Sequence, residues 1–373
     1  MDSTKEYIKD LVHNIKKVLP LKDDLDKIIE RSYEKAFEIL DKYGIIEYIE
    51  SKYIKKALES LHKFGIIEDI ESKYTNYKKP KLEILEDYIS KNEPSIAEEV
   101  AGEYSIPENK ITISKKFIES YIDSQLEFLD HYEGEIKRSI DKILRSLGYK
   151  GSNGDIQDIG YLYMANNSIF LYPSYINKKN KRESIAEAIS LFTMFHEDLH
   201  SLDDNILNTL DIDNILNTLD IDNILNTLDI DNILNTLDID FIIKNDSTIK
   251  YIYYLLNILD NPELRASAFE VVMYYLANGF HKDIKGYIAA YFNILKCGNY
   301  IKEANILENN GYNNIVNPYD LGRCYGNIIV ATNKSSLEEN IYDIIDDIIH
   351  LDKKRAIEVI KYYVYNPDKL LQD

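Results

Sequence analysis

A long apolar segment that ends in two closely spaced histidines is the feature that most constrains the fold of this chain. Ser184 and Glu187 form an S-x-x-E capping box, which predicts that a helix opens at Ser184. Apolar side chains then recur at helical spacing, at Ile185, Ala188, Ile189, Phe192 and Phe195. The segment leads directly into His196-Glu197-Asp198-Leu199-His200. We therefore expect this HExxH motif near the C-terminal end of a mostly buried helix.

The spacing of the motif suits the binding of one metal ion. Residues four apart lie on the same face of a helix, so His196 and His200 can hold the same ion. Glu197 lies beside them and is expected to act as the general base rather than as a ligand. It would take a proton from a water molecule whose pKa the ion lowers towards about 7.

A second segment completes a resemblance to a known family. Glu263-Leu264-Arg265-Ala266 has the pattern E-x-x-A, and a helix is predicted there because Asn261 can cap it, Pro262 suits its first position and Gly279 can end it. HExxH followed by such a helix resembles the gluzincin group of zinc metallopeptidases. The resemblance covers about residues 111–281. It implies a Zn²⁺ cofactor bound by His196, His200 and Glu263, with Glu197 as the catalytic base.

Several assignments stay open at this stage. Glu270 lies on the same helical face as Glu263 and is the alternative third ligand, or a partner for a histidine N–H. His281 is another possible ligand. Asp198 is acidic where these enzymes often carry an apolar or small residue, and we expect it to face solvent. No residue is assigned to stabilise the transition state. The candidates include Tyr161, Tyr163 and Tyr172, on a predicted hairpin whose strand at residues 168–172 is expected to pair with an extended substrate.

A perfect nine-residue repeat separates the two segments. NILNTLDID occurs four times between residues 205 and 240. Identical copies are typical of an expanded surface loop, in which insertions are tolerated. Glu263 lies 63 residues after His200, and three of the copies account for 27 of these residues, which leaves an ordinary spacing of 36. We interpret the array as an insertion of variable length without chemistry of its own.

The regions on either side of this core are expected to be largely helical. In the first hundred residues KYGIIEYIESKY, at residues 42–53, recurs as KFGIIEDIESKY at residues 63–74, and each copy has a glycine that can end a helix. Residues 95–104 also read as helix, and residues 108–122 as a strand that leads into a helix. We predict a helical N-terminal region at 1–93, a catalytic domain at 94–290 with its insertion at 205–240, and a helical C-terminal subdomain at 291–373.

Composition excludes some classes of function. The formal net charge of −20 argues against sequence-independent binding to nucleic acid and against docking on anionic membranes. The N-terminus lacks the apolar core of a signal peptide, and no apolar run is long enough to span a membrane. Cys297 and Cys324 make no disulfide framework and are expected to be buried or inert thiols. These features favour a cytoplasmic protein.

The sequence thus predicts an α+β protein that is predominantly α-helical. Its zincin-like core would combine a small β-sheet or hairpin with an active-site helix, flanked by helical regions. The expected function is zinc-dependent hydrolysis of peptide bonds in a peptide or protein substrate. The alternative is a catalytically inactive zincin-like protein that acts through interaction or regulation, with a protein partner bound by the helical N-terminal region.

Overall fold

The structure is a computed structural model of the chain. The described residues are 22–55, 58–59, 62, 77–88, 101–126, 181–210, 261–282, 286, 289–291, 293–294, 297–298, 317–333, 336–366 and 369–370. Within them the fold is α+β and mostly helical, as predicted, with one sheet of three strands. No helix among these residues is both long enough and apolar enough to cross a membrane.

The boundary between the first two helices falls within the first copy of the degenerate repeat. Helix α1 spans Lys22–Lys42 and is followed by α2 at Ile45–Ile49, which continues into a π-helical turn at Glu50–Lys55. Gly44 joins α1 to α2 with a φ of 60°, a conformation that glycine adopts without the steric cost of a Cβ atom. The predicted helix end is therefore confirmed for this copy. The second copy, at residues 63–74, lies outside the described residues.

The sheet corrects part of the helical prediction. Strand β1 is Lys81–Leu85, β2 is Gly102–Ser105 and β3 is Lys110–Ser114, in the order β1-β3-β2. Strand β3 is central, parallel to β1 and antiparallel to β2, and residues 115–126 after it are helical (α3), as predicted. The predictions of helix for β1 and β2 were wrong, because pairing with β3 overrides local helix propensity. Residues on both sides of residue 93 share this sheet, and the division into three regions stays a prediction.

Helix α4 is the central element of the fold. It spans Lys181–Leu210 and packs against α1 on one side and β2 on another. All five apolar residues predicted from helical spacing are buried. Apolar side chains outside that stripe, including Leu191, Met194 and Leu202, are buried as well, because neighbours surround the helix.

Both predicted ends of α4 were wrong. The helix begins at Lys181, three residues before Ser184, which is fully buried inside it. It also runs ten residues past His200 and includes Asn205–Leu210, the start of the first NILNTLDID copy. Ile206 of this copy packs in the core with 1% of its surface exposed. The interpretation of the array as a surface loop therefore fails for these six residues, and the rest of the array lies outside the described residues.

Four further helices have defined bounds among the described residues of the C-terminal half. Helix α5 is Pro262–Asn278, with Asn261 before it and Gly279 after it, and Gly279 has the left-handed φ of 67° that ends a helix. The predicted boundaries are confirmed here. Helix α6 is Pro318–Asn333, α7 is Ile341–Ile349 and α8 is Lys353–Tyr365. Helix α5 lies between α4 and α6 and packs against both.

The two cysteines form a disulfide bond. Cys324 of α6 is joined to Cys297, and both residues are fully buried. The expectation of two inert thiols was wrong, because the two sulfur atoms come from segments that pack against each other in the fold. The bond ties the second turn of α6 to the helical residues around Cys297.

Candidate metal centre

The two histidines of the HExxH motif lie side by side on α4. Their imidazole ring centroids are 4.9 Å apart, as expected for residues separated by about one helical turn. His196 is buried and His200 is partly exposed. Both rings face the first turn of α5, where Glu263 lies.

Glu263 brings a carboxylate to both histidines. Its Oε2 is 2.9 Å from Nε2 of His196 and 3.5 Å from Nε2 of His200. One ligand atom from each of the three residues lies within 4.8 Å of the other two, so the group could hold a metal ion. The structure thus brings together the three residues that the sequence proposed as ligands. Although burial alone would raise the pKa of Glu263, the two imidazoles hold it well below its usual range.

Glu270 lies on the other side of the His196 ring. Its Oε2 is 2.9 Å from Nδ1 of His196, and only 1% of its side chain is exposed. Because Nδ1 faces Glu270, Nε2 is the nitrogen that faces Glu263 and His200. Glu270 therefore takes the position of a carboxylate that orients a ligand histidine, one of the two roles considered for it.

His196 lies between two carboxylates, and they determine its protonation state. Burial lowers the pKa of an imidazole, but hydrogen bonds and charges from Glu263 and Glu270 outweigh burial and raise the pKa of His196 to about 10. Without a metal ion the ring is therefore an imidazolium at neutral pH. Binding of a cation at Nε2 has to displace a proton.

Glu197 is buried next to the histidines but is not part of the ligand group. One of its oxygens, Oε2, accepts a hydrogen bond of 2.8 Å from the backbone N–H of Tyr104 in β2. Burial raises the pKa of Glu197, against the opposing charges of His196 and His200. A raised carboxyl pKa suits a group that accepts and later returns a proton near neutral pH.

A buried ion pair joins the two helices that carry these residues. Arg265 of α5 donates two hydrogen bonds, of 2.9 and 2.7 Å, to the two carboxylate oxygens of Asp203 in α4. The Arg265 side chain is fully buried, and that of Asp203 nearly so. A bidentate pair fixes distance and orientation together. It therefore sets the register of α4 against α5, and with it the position of Glu263 opposite the histidines.

Helix α6 contributes two residues that the sequence did not single out. The ring of Tyr319 is nearly parallel to that of His196, with centroids 5.6 Å apart and an angle of 17°. Nε of Arg323 donates a hydrogen bond of 2.5 Å to Oε1 of Glu270. Residues four apart lie on one face of a helix, so the pair follows once α6 is placed. The only sequence signal was Pro318 as a helix start, which does not say where the helix docks.

Other predicted site residues lie elsewhere. His281 follows the C-terminal end of α5, about 24 Å from the first turn at 1.5 Å per residue, so it is no candidate ligand. Asp198 is fully buried, which contradicts the expectation that it faces solvent. Tyr161, Tyr163, Tyr172 and the predicted strand at 168–172 are outside the described residues. Strand β2 contacts Glu197, through the backbone N–H of Tyr104.

Comparison of the chain with protein-family models, with curated proteins and with solved structures finds no match in any of the three.

Proposed function

We propose that the chain is a zinc-dependent peptidase of the gluzincin type, with His196, His200 and Glu263 as ligands. The observation that carries the proposal is the convergence of these three side chains from α4 and α5. Two imidazole nitrogens and one carboxylate oxygen form the donor set of zinc hydrolases that keep one coordination position open. The carboxylate of Glu270 behind His196 fits the same interpretation, since histidine ligands commonly donate their second N–H to such a group.

Glu197 is the residue to which we assign proton transfer. When bound, the ion would polarise the substrate carbonyl and lower the pKa of water, which is the chemistry that hydrolysis of an unactivated amide needs. Glu197 would accept the proton released as water adds to the carbonyl carbon. It would then deliver that proton to the nitrogen as the C–N bond breaks, leaving a carboxylate and an amine. Burial favours this role because it raises the carboxyl pKa.

The test has two parts that separate binding from catalysis. Purified wild-type protein should contain about one zinc per chain by mass spectrometry of the metal, and His196→Ala should lose it. His281→Ala is the matched control, since it also removes a buried histidine but lies at the far end of α5. A wild-type protein that takes up no zinc under metal-replete conditions would contradict the proposed site.

Catalysis is tested with Glu197→Gln and a library of unstructured peptides. The variant should keep its zinc and lose at least about a hundredfold in the rate of peptide cleavage, because general-base catalysis contributes that much or more. Zinc binding without cleavage by the wild-type protein would instead support the alternative, a catalytically inactive interaction or regulatory protein.

A further inference from the structure

Glu270 connects the metal centre to a third helix through its two oxygens. Its Oε2 meets Nδ1 of His196, and its Oε1 accepts the hydrogen bond from Nε of Arg323. The carboxylate is almost fully buried, whereas 25% of the Arg323 side chain is exposed. Each oxygen thus has a different partner. The hydrogen bond from Arg323 to Oε1 therefore restricts where Oε2, the oxygen that contacts His196, can lie.

The packing of α6 on α5 holds Arg323 in place. A Cβ atom at Gly322 would lie 2.2 Å from the backbone oxygen of Leu264, and one at Gly326 would lie 2.7 Å from that of Ala268. The absence of side chains at these two positions lets the helix backbones approach closely. The Cys297–Cys324 disulfide adds a covalent tie at the residue after Arg323. The guanidinium therefore reaches Glu270 from a fixed backbone.

We propose that Arg323 is a positioning residue of the metal centre, which holds Glu270 in the rotamer that orients the imidazole of His196. A glutamate side chain has three rotatable bonds, so one contact to a histidine does not fix it. A second, charge-assisted hydrogen bond from a planar guanidinium restricts these rotations. The ring of His196 is then oriented with Nε2 towards Glu263 and His200. The inference rests on the proposed metal site but not on peptide hydrolysis.

The first experiment measures zinc affinity by competition with a fluorescent chelator. Arg323→Gln should bind zinc about ten- to a hundredfold more weakly than wild type, the range typical of lost partners behind a ligand histidine. Arg182→Gln is the matched control, because Arg182 also forms an ion pair with a carboxylate, that of Asp123, but near the start of α4, about 21 Å from His196 at 1.5 Å per residue. The control should bind zinc as wild type does.

A double-mutant cycle separates positioning from general support of the fold. If Arg323 acts through Glu270, Arg323→Gln should have almost no further effect on zinc affinity in a Glu270→Gln background. The visible spectrum of bound Co²⁺ should change in Arg323→Gln, since ligand orientation determines that spectrum. Arg323→Ala should regain affinity when methylguanidinium is added, and this variant also serves if Arg323→Gln folds poorly.

Two results would overturn the proposal. One is a folded Arg323→Gln protein with wild-type zinc affinity and an unchanged Co²⁺ spectrum. The other is full additivity of the two substitutions in the cycle, without rescue by methylguanidinium. A wild-type protein that binds zinc but cleaves no peptide would contradict the peptidase function alone, because the affinity measurements do not depend on turnover.

Discussion

At the scale of single residues, the charge of His196 links the site to pH. In the absence of metal its pKa of about 10 keeps the ring protonated between Glu263 and Glu270. A metal ion binds the neutral ring, so binding and protonation compete. Acidic conditions therefore favour the metal-free, ion-paired arrangement, and a rise in pH favours the metal.

We expect zinc binding at pH 7 to release at least one proton, with affinity that rises about tenfold per pH unit between pH 6 and 8. Calorimetry in two buffers of different ionisation enthalpy measures the released proton directly. Glu270→Gln removes one of the two carboxylates that raise the pKa of His196 and leaves the three ligands in place, so fewer protons should be released in that variant. An affinity that does not change with pH would contradict the assignment.

Asp198 leads to a prediction about the stability of the fold rather than about zinc binding. It is fully buried, and neither carboxylate oxygen has a hydrogen-bond partner among the residues that the structure describes. Burial raises its pKa well above 3.8, with a further contribution from the charge of Glu197. A carboxyl group with a raised folded-state pKa destabilises the fold increasingly as pH rises above 3.8. Asp198→Asn should therefore stabilise the metal-free protein at pH 8 and have much less effect near pH 4.

Urea unfolding of wild type and variant at both pH values checks this difference. Asp203→Asn is the matched control on the same helix, because Asp203 is also buried but is paired with Arg265. This substitution should destabilise the protein, since it leaves a buried guanidinium without its counter-charge. Destabilisation by both variants at pH 8 would show that Asp198 has a partner in solution.

At the scale of elements, the contact between α5 and α6 determines whether the site is complete. Glu263, Arg265 and Glu270 are on α5, whereas Tyr319 and Arg323 are on α6. Gly322 lies between these last two, against the backbone of Leu264 in the first turn of α5. In an exposed helix alanine is preferred to glycine by about 1 kcal/mol. Here the steric contact should reverse that preference.

Gly322→Ala is accordingly expected to lower the free energy of unfolding by about 1–3 kcal/mol, the usual cost of overpacking. It should also weaken zinc binding, because separation of the helices withdraws Arg323 from Glu270. Gly279→Ala is a useful comparison. Its added Cβ meets no atom of the described residues within 4 Å, so the cost is the strain of its φ of 67°, about 1 kcal/mol, without a change in zinc affinity. If Gly322→Ala and Gly279→Ala bind zinc equally well, the close contact between α5 and α6 does not position Arg323 for metal binding.

At the scale of the whole molecule, the sequence predicted what depends on local pattern. The buried stripe of α4 and the boundaries of α5 follow from helical periodicity and capping signals. The proximity of Glu263 to the histidines was expected only from the resemblance of HExxH and E-x-x-A to the gluzincin pattern. The role of α6 could not be predicted. Its docking depends on Gly322 and Gly326, and the close approach that they permit is evident only when the position of α5 is known. The strands β1 and β2 were missed because their stability comes from β3, a partner distant in sequence.

The repeat array shows how a local pattern can mislead at this scale. That three of the copies are surplus stays a prediction, and the first copy extends α4 and buries Ile206. All four copies are identical, so deletion of any three gives the same chain, in which Asn205–Leu210 still follow Asp204. Removal of all four copies also deletes Asn205–Leu210, the last six residues of α4. Deletion of three copies therefore leaves the core residue Ile206 in place, whereas deletion of all four removes it.

We expect a chain with one copy to match wild type in thermal midpoint and zinc content, since shortening a connection changes its closure entropy only slightly. A chain with none would place Ile242 at the position of Ile206, so this chain also carries Ile242→Ala, and it should lose about 1.5–3 kcal/mol from the missing isoleucine side chain. It should also bind zinc more weakly, because Asp203, which positions α5 through Arg265, then lies next to the end of α4. Calorimetric unfolding and metal analysis of both chains distinguish these outcomes. If the single-copy chain unfolds as readily as the chain without repeats, the remaining copies belong to the folded core and are not a surplus insertion.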